Sequence, residues 1–250
     1  MFEKDLNPEP FFSIKSKKIA YYKGFTIMSD PNLHEQVLTI IKKNIPKGSK
    51  IFIFGSGEGA LDQRLKDLGF EIFSSDIDSK NFKADTEFIK ADFNNCSDMQ
   101  DIVNKKKGVF DLVVSLEIIE HIENLDLYFS TISKVLKRNG KVIVSTPNIN
   151  SWYSRLFFFI NGIFPSFTDS AYQSYGHINP VGIDEIKRLL LRNKLKGDIS
   201  HFSGGYLPKI WINGGIKGIL FHLTGFVLRI FMRGKKDVWC NIILLERTNK

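Results

Sequence analysis

Cysteine is nearly absent: Cys96 and Cys240 are the only two in 250 residues, and their spacing matches neither a metal-binding nor a redox motif. That excludes a disulfide framework and a cysteine-based zinc site, and predicts reduced thiols in a cytoplasmic protein. Long apolar runs are missing as well. No stretch of about 18 uncharged apolar residues occurs, so no membrane-spanning helix is expected. The opening Met1-Phe-Glu-Lys-Asp-Leu-Asn-Pro has no basic region followed by an apolar stretch, so no secretory signal is expected. Internal repeats and low-complexity tracts are also lacking. This length suits one α/β domain with a real core, and is too short for two full domains with linkers.

Positive charge is present in excess, 35 Lys and Arg against 27 Asp and Glu, for a formal net charge of +8. Such a balance admits anionic partners, whether nucleic acid, membrane surface or phosphorylated substrate. Much of it is lysine scattered through a chain rich in Lys, Asn, Ile and Phe, which is equally the pattern of a solvated basic surface.

The most informative segment is Ile51-Phe-Ile-Phe-Gly55-Ser-Gly57-Glu-Gly59-Ala60. An apolar run ending in three alternate glycines and then turning helical reads as strand, tight turn and helix. Residues without a Cβ let a ligand approach bare backbone N–H groups at a helix N-terminus. About twenty positions on, Asp76 stands where a second strand should end, placed to accept hydrogen bonds from ribose hydroxyls. Strands are predicted at 50–54, 71–75, 88–91, 110–115 and 141–145. Helices fall at 31–43, 60–68, 97–105 and 125–137. This alternation predicts a doubly wound, Rossmann-like α/β sheet, with a ligand beyond the carboxyl ends of the strands. After it come an aromatic-rich insertion (147–181), a helix at 184–193, a strand near 198–202, a second insertion (204–237) and a last strand at 239–246. The whole of 1–250 is read as one domain with a cofactor-binding core at 31–146. The two insertions are the expected source of a substrate pocket, a lid or a membrane contact.

Glu117, Glu120 and His121 follow the fourth core strand, and spacings of three and four place them on one side of a helical turn. Carboxylates and imidazoles so grouped suit a divalent ion such as Mg, Mn or Zn, a general base, or a purely structural place in a pocket wall. His177, between Gly176 and Pro180, is either a turn strut or a substrate or metal contact. His34, His201 and His222 have no partner pattern.

The ordered set of glycine loop, acidic second strand end, Ala91-Asp92-Phe93, Phe110-Asp-Leu-Val-Val-Ser-Leu-Glu117-Ile-Ile-Glu120-His121, Leu136-Lys-Arg-Asn-Gly140-Lys-Val-Ile-Val-Ser-Thr-Pro147-Asn148 and Gly176-His177-Ile-Asn-Pro180 resembles class I S-adenosylmethionine-dependent methyltransferases. The resembling subgroup is that of the ubiquinone-biosynthesis O-methyltransferases, and the likeness covers about 31–195. It implies a seven-stranded sheet, mostly parallel, with an antiparallel last strand. It also implies that Gly55, Gly57 and Gly59 pass beneath the methionine moiety of S-adenosylmethionine, that Asp76 binds the ribose, and that Asp92 with Phe93 frames the adenine. Glu120, His121 and His177 become the implied catalytic residues, with Glu117 joining them as metal ligands. One departure is Ile53, which stands where these enzymes usually carry an acid. A nicotinamide-binding oxidoreductase would share the loop and Asp76 but not the Glu-Ile-Ile-Glu-His segment. A noncatalytic ligand- or partner-binding relative would account for Ile53.

The implied reaction is methyl transfer to an oxygen of a hydrophobic, quinone-like or lipid-linked small molecule. Trp152 to Phe167 is apolar enough for such an acceptor, or for packing against the body of the fold. In 218–236, residues His222, Arg229, Arg233 and Lys236 project to one stripe at about 100° per residue, with nearly everything else apolar. That pattern predicts an interfacial membrane helix at the inner face of the membrane, a lid or a dimer contact. Nucleic acid is the weaker expectation, because aromatics here cluster with aliphatics rather than alternating with Arg and Lys.

Overall fold

The computed structural model describes residues 20–29, 31–196, 215–232 and 239–248. A short hairpin, β1 (Ala20–Tyr22) and β2 (Phe25–Ile27), precedes helix α1 (Pro31–Asn44). The core then runs β3 (Lys50–Phe54), α2 (Ala60–Asp67), β4 (Glu71–Asp76), β5 (Glu87–Lys90), α3 (Cys96–Lys106), β6 (Phe110–Leu116), α4 (Leu125–Val135) and β7 (Leu136–Pro147). Helices α5 (Trp152–Asn161), α6 (Asp169–Tyr175) and α7 (Ile183–Arg192) follow, then β8 (Leu195–Lys196), α8 (Gly215–Phe231) and β9 (Cys240–Arg247). The expected strand at 198–202 lies outside the described residues.

Seven strands form one sheet in the order β5-β4-β3-β6-β7-β9-β8. The pairs from β5 through β7 are parallel, and β9 runs antiparallel to both β7 and β8. This is the expected doubly wound sheet with an antiparallel last strand. Alternation along β3 explains the layering. Phe52 and Phe54 enter the core on the face that also holds Phe110, Tyr128 and Phe129. Ile51 and Ile53 enter the opposite core with Leu33, Val37, Ile41, Leu61 and Leu65 of α1 and α2. Successive side chains of a strand point to opposite faces, so a continuous apolar run is what a doubly covered strand requires.

One boundary differs from the sequence reading. Helix α4 ends at Val135, and β7 begins at Leu136 rather than Lys141. Leu136 pairs with Phe110, and after a register shift pairing resumes at Lys141 with Leu112, so the sheet claims residues whose local pattern is helical. The first insertion is ordered as α5, a 3₁₀ turn at Pro165–Phe167, and α6. Trp152 is fully buried, and a Cβ added to Gly225 would lie 2.7 Å from its ring, so α8 lies directly on α5.

Candidate active site

The loop between β3 and α2 lies at the switch point of the sheet, where β4 extends to one side of β3 and β6 to the other. Gly55, Gly57 and Gly59 all have positive φ, at 83°, 54° and 92°. The N–H groups of Gly55 and Ser56 donate to the Ser75 carbonyl, at 2.8 and 3.1 Å. The N–H of Gly57 donates to Asp76 Oδ2 at 2.8 Å, and that of Asp78 donates to Oδ1 at 3.0 Å. Asp76 is thus held against the loop at the carboxyl end of β4. Exposed Ile77 sits beside it.

Ile53 is buried in the apolar core, yet the loop does have a carboxylate beneath it. Asp62, in the first turn of α2, is completely buried. Its Oδ1 accepts from Ser56 Oγ at 2.9 Å and from Ser74 Oγ at 2.6 Å. Burial pushes its carboxyl up to about 6, against the lowering effect of the two serines, and Asp76 nearby adds to the rise. The sequence reading missed this residue; its signal was an acid among Leu61 and Leu65 on the inward face of a short helix.

The raised pKa of Asp62 makes stability depend on pH. Its folded pKa lies above the unfolded value, so its contribution to stability is fully present below about pH 4 and is lost as pH rises through about 6. Relative to Asp62→Asn, the parent should therefore lose roughly 3 kcal/mol of unfolding free energy between pH 4 and pH 7, from about two pKa units at 1.4 kcal/mol each. Urea unfolding of both proteins across that range measures it. A pH-independent difference would show that Asp62 is not desolvated.

Asp92 stands beyond β5, with its N–H donating to Asp98 Oδ2 and its Oδ1 accepting from the N–H of Asn94. Phe93 is buried with its ring stacked on Phe54, centroids 4.9 Å apart, so one of its faces is spent on the core. The run of Phe side chains on that face of β3 is what draws it in.

The carboxylate–histidine segment does not form the single helical turn its spacing predicts. Glu117 has a left-handed φ of 55°, and the 3₁₀ turn begins only at Ile119. Glu117 Oε1 accepts from Ser145 Oγ at 2.8 Å and from Cys240 Sγ at 3.0 Å, so it is engaged by β7 and β9. Burial, followed by the charge of Glu117, raises the Cys240 thiol well above its ordinary value and keeps it a proton donor.

Glu120, His121 and His177 do converge, with one potential ligand atom from each lying within 4.8 Å of the others. Glu120 is completely buried, and neither of its carboxylate oxygens has a hydrogen-bond partner among the described residues. Burial and then the charge of Glu117 raise its pKa well above the usual carboxylate range; neighbouring Thr146 opposes this without reaching hydrogen-bond geometry. His121 Nδ1 contacts the Gly176 carbonyl at 3.1 Å, and His177 Nδ1 contacts the Ser166 carbonyl at 2.7 Å. A carbonyl partner places the proton on Nδ1 and the lone pair on Nε2, the arrangement by which a second shell orients an imidazole as a ligand or base. The N–H groups of Ile178 and Asn179 donate to the Glu120 carbonyl, both at 3.0 Å, and bolt the loop carrying His177 to the turn carrying His121. An unpartnered buried carboxylate facing two such imidazoles fits a divalent cation, because it is otherwise costly to keep. His34 is buried elsewhere, in the α1 core, where desolvation lowers it to about 4.

Comparison with known proteins bears on the family and the fold. The sequence profile of the methyltransferase domain family matches residues 31–197. A ubiquinone biosynthesis O-methyltransferase of Pelagibacter ubique is 32% identical over 107 residues, covering 41% of this chain and 43% of the relative. One from Bartonella bacilliformis is 26% identical over 156 residues, or 60% of each chain. The alignments thus span about half the length of these curated relatives. Among solved structures, a SAM-dependent methyltransferase from Archaeoglobus fulgidus superposes with a TM-score of 0.58 at 18% identity, over 86% of this chain and 94% of the other. The Haemonchus contortus phosphoethanolamine N-methyltransferase 2, in complex with S-adenosyl-L-methionine, gives 0.55 at 15% identity, over 86% and 53%. With its glycine loop, acidic second strand end and reversed last strand in that common frame, the chain belongs to the S-adenosylmethionine-dependent methyltransferase family.

Proposed function

We propose that the protein transfers a methyl group from S-adenosylmethionine to a hydroxyl of a hydrophobic, quinone-like or lipid-linked acceptor. The observation carrying this reading is the convergence of Glu120, His121 and His177, with both Glu120 oxygens unpartnered, beyond the same sheet edge as the glycine loop. The names of the curated relatives support the acceptor class. In this reading the Gly55–Gly59 loop receives the methionine moiety, Asp76 the ribose hydroxyls, Asp92 the adenine amino group, and Ile77 the ring face.

Methyl transfer from a sulfonium is an in-line displacement: the acceptor oxygen forms a bond to carbon as the carbon–sulfur bond breaks and neutral S-adenosylhomocysteine leaves. Most of the catalysis is therefore alignment, plus removal of the hydroxyl proton. Glu120, His121 and His177 would hold a divalent cation (Mg, Mn or Zn), which when bound lowers the pKa of an acceptor hydroxyl. Their fixed Nδ1 bonds keep both imidazoles pointed at the acceptor; with a cation held there the acidified hydroxyl gives its proton to solvent, and without one His121 Nε2, its lone pair then uncommitted, would take the proton instead. Glu117, held by Ser145 and Cys240, is left as a positioning residue that keeps negative charge beside Glu120.

The test is calorimetric titration with S-adenosylhomocysteine, with NADH in parallel, followed by transfer to a phenolic quinone precursor with chelator and with added Mg or Mn. Asp76→Ala should weaken the adenosyl ligand at least about tenfold, since it removes a ribose acceptor and the anchor of the Gly57 N–H. Tight NADH binding without adenosyl binding would restore the oxidoreductase reading. Adenosyl binding with no transfer under any metal condition would favour a noncatalytic role.

A further inference from the structure

Helix α8 carries the largest apolar display among the described residues, and the proposed chemistry does not use it. Ile216, Ile219, Leu220, Leu223, Phe226, Val227, Ile230 and Phe231 are each at least half exposed, reaching 81% at Phe231. At about 100° per residue they fall within one arc of roughly 140°, with no charge among them. Gly225 points the opposite way and is buried against Trp152 of α5, so this face is directed outward by the packing itself. Phe158, Phe159 and Ile160, at the far end of α5, continue the display, with Phe159 at 86% exposure. Soluble proteins rarely leave so large a contiguous apolar face uncovered.

We propose that this face is a membrane-docking surface for anionic lipid. Three observations select lipid over a second protein. First, charge is complementary: from Ile199 to Lys236 the sequence has Lys209, Lys217, Arg229, Arg233, Lys235 and Lys236 and no acid, and from Asn148 to Thr168 its only charged residue is Arg155. Acids are plentiful elsewhere in the chain, so the excess of +8 is concentrated on the segments that carry the apolar face. Second, the face is Ile, Leu, Val and Phe without a Tyr, Trp or Arg anchor, and exposed Thr224 spends its hydroxyl on the Leu220 carbonyl at 2.9 Å. It offers a partner no directional hydrogen bond, whereas specific protein interfaces depend on such anchors and a polar rim. Third, no described helix is long and apolar enough to cross a bilayer, and 17 residues of α8 make a rod about 25 Å long that lies in an interface.

The placement is continuous with the site. Helix α5 lies between α8 and the 3₁₀ turn at Pro165–Phe167, whose Ser166 carbonyl holds His177 and whose Phe167 ring is 5.7 Å from that imidazole. On the function proposed above, with a lipid-linked acceptor, docking brings the His121–His177 site to it without extraction from the bilayer. The docking itself stands on the surface alone.

The experiment is flotation of the full-length protein with vesicles of phosphatidylcholine and with vesicles containing phosphatidylglycerol, at low and high salt. Sedimentation equilibrium without lipid and calorimetry with S-adenosylhomocysteine run on the same preparation. The parent should float with the anionic vesicles, and less so at high salt. Phe226→Ser/Phe231→Ser should cut partitioning about a hundredfold, at roughly tenfold per large apolar side chain withdrawn from lipid, with adenosyl affinity unchanged. Failure to float with either vesicle overturns the proposal. So does a dimer in the absence of lipid that the double substitution dissociates, which would make the face a contact between copies. Flotation without adenosyl binding would sink the proposed function and leave the docking surface standing; the reverse would do the opposite.

Discussion

Glu120→Gln is expected to lower methyl transfer by at least about a hundredfold while leaving S-adenosylhomocysteine affinity within about twofold and making the protein more stable. Loss of transfer follows from removing the one carboxylate that faces both imidazoles. Stabilisation follows from what that carboxylate costs: it is wholly buried, its oxygens lack partners among the described residues, and Glu117 adds a like charge beside it. A neutral amide of the same shape carries a smaller desolvation penalty, worth about 1–2 kcal/mol at neutral pH. Mn added to the parent should raise its melting temperature through preferential binding to the folded form, and should have no effect on the variant. Methyl transfer, thermal unfolding with and without Mn, and calorimetry on both proteins measure the three effects. A Gln variant that is both less stable and inactive would mean Glu120 is a structural residue whose loss disorders the site.

Gly57→Ala and Gly59→Ala are expected to separate cofactor binding from folding. At Gly59 a Cβ would lie 2.6 Å from Ala84 Cβ and 3.2 Å from Ala84 N, on a residue with φ of 92°. Backbone cannot give way as a side-chain tip can, so Gly59→Ala should cost about 2–4 kcal/mol and lose the adenosyl ligand along with the fold of the loop. At Gly57 a Cβ meets only Met28 Cγ, at an ordinary 3.5 Å, and φ of 54° lies in the left-handed region open to alanine at about 1–2 kcal/mol. That variant should remain folded. Its new methyl stands on the loop surface that the proposed function gives to the methionine moiety, so adenosyl affinity should fall at least about tenfold. Urea unfolding and calorimetry on both variants decide it, and a Gly57→Ala protein with undiminished affinity would place the cofactor elsewhere.

Much of the sheet was legible because its signals are local. The apolar run at Ile51–Phe54, the glycines after it and the acid at Asp76 each follow from backbone geometry and from the two-faced burial of a parallel strand. The Trp239–Glu246 segment was legible as a strand because it too carries a continuous apolar run buried on both faces, although it runs antiparallel. The β1–β2 hairpin was not, since strands of three residues are too short for a period-two pattern to emerge. Residues Leu136–Lys137 continue the pattern of α4 and were absorbed by β7 because β6 offered Leu136 a partner in Phe110.

Within the site, residue types were legible and directions were not. From the sequence alone came the Rossmann-like class, the loop, Asp76 and the set Glu117, Glu120, His121 and His177. Tertiary structure alone decided that Phe93 turns into the core, because Phe54 and Tyr128 provide a better surface than water does. It decided that Glu117 leaves the cluster for Ser145 and Cys240, since a left-handed φ ends any helical projection at that residue. It also placed Asp62 under the loop, where an acid on a helix reaches across to serines of two other segments. Spacing along a chain sets which side chains share an element, whereas the direction each one takes depends on neighbours brought by distant strands, and those contacts exist only once the sheet is assembled.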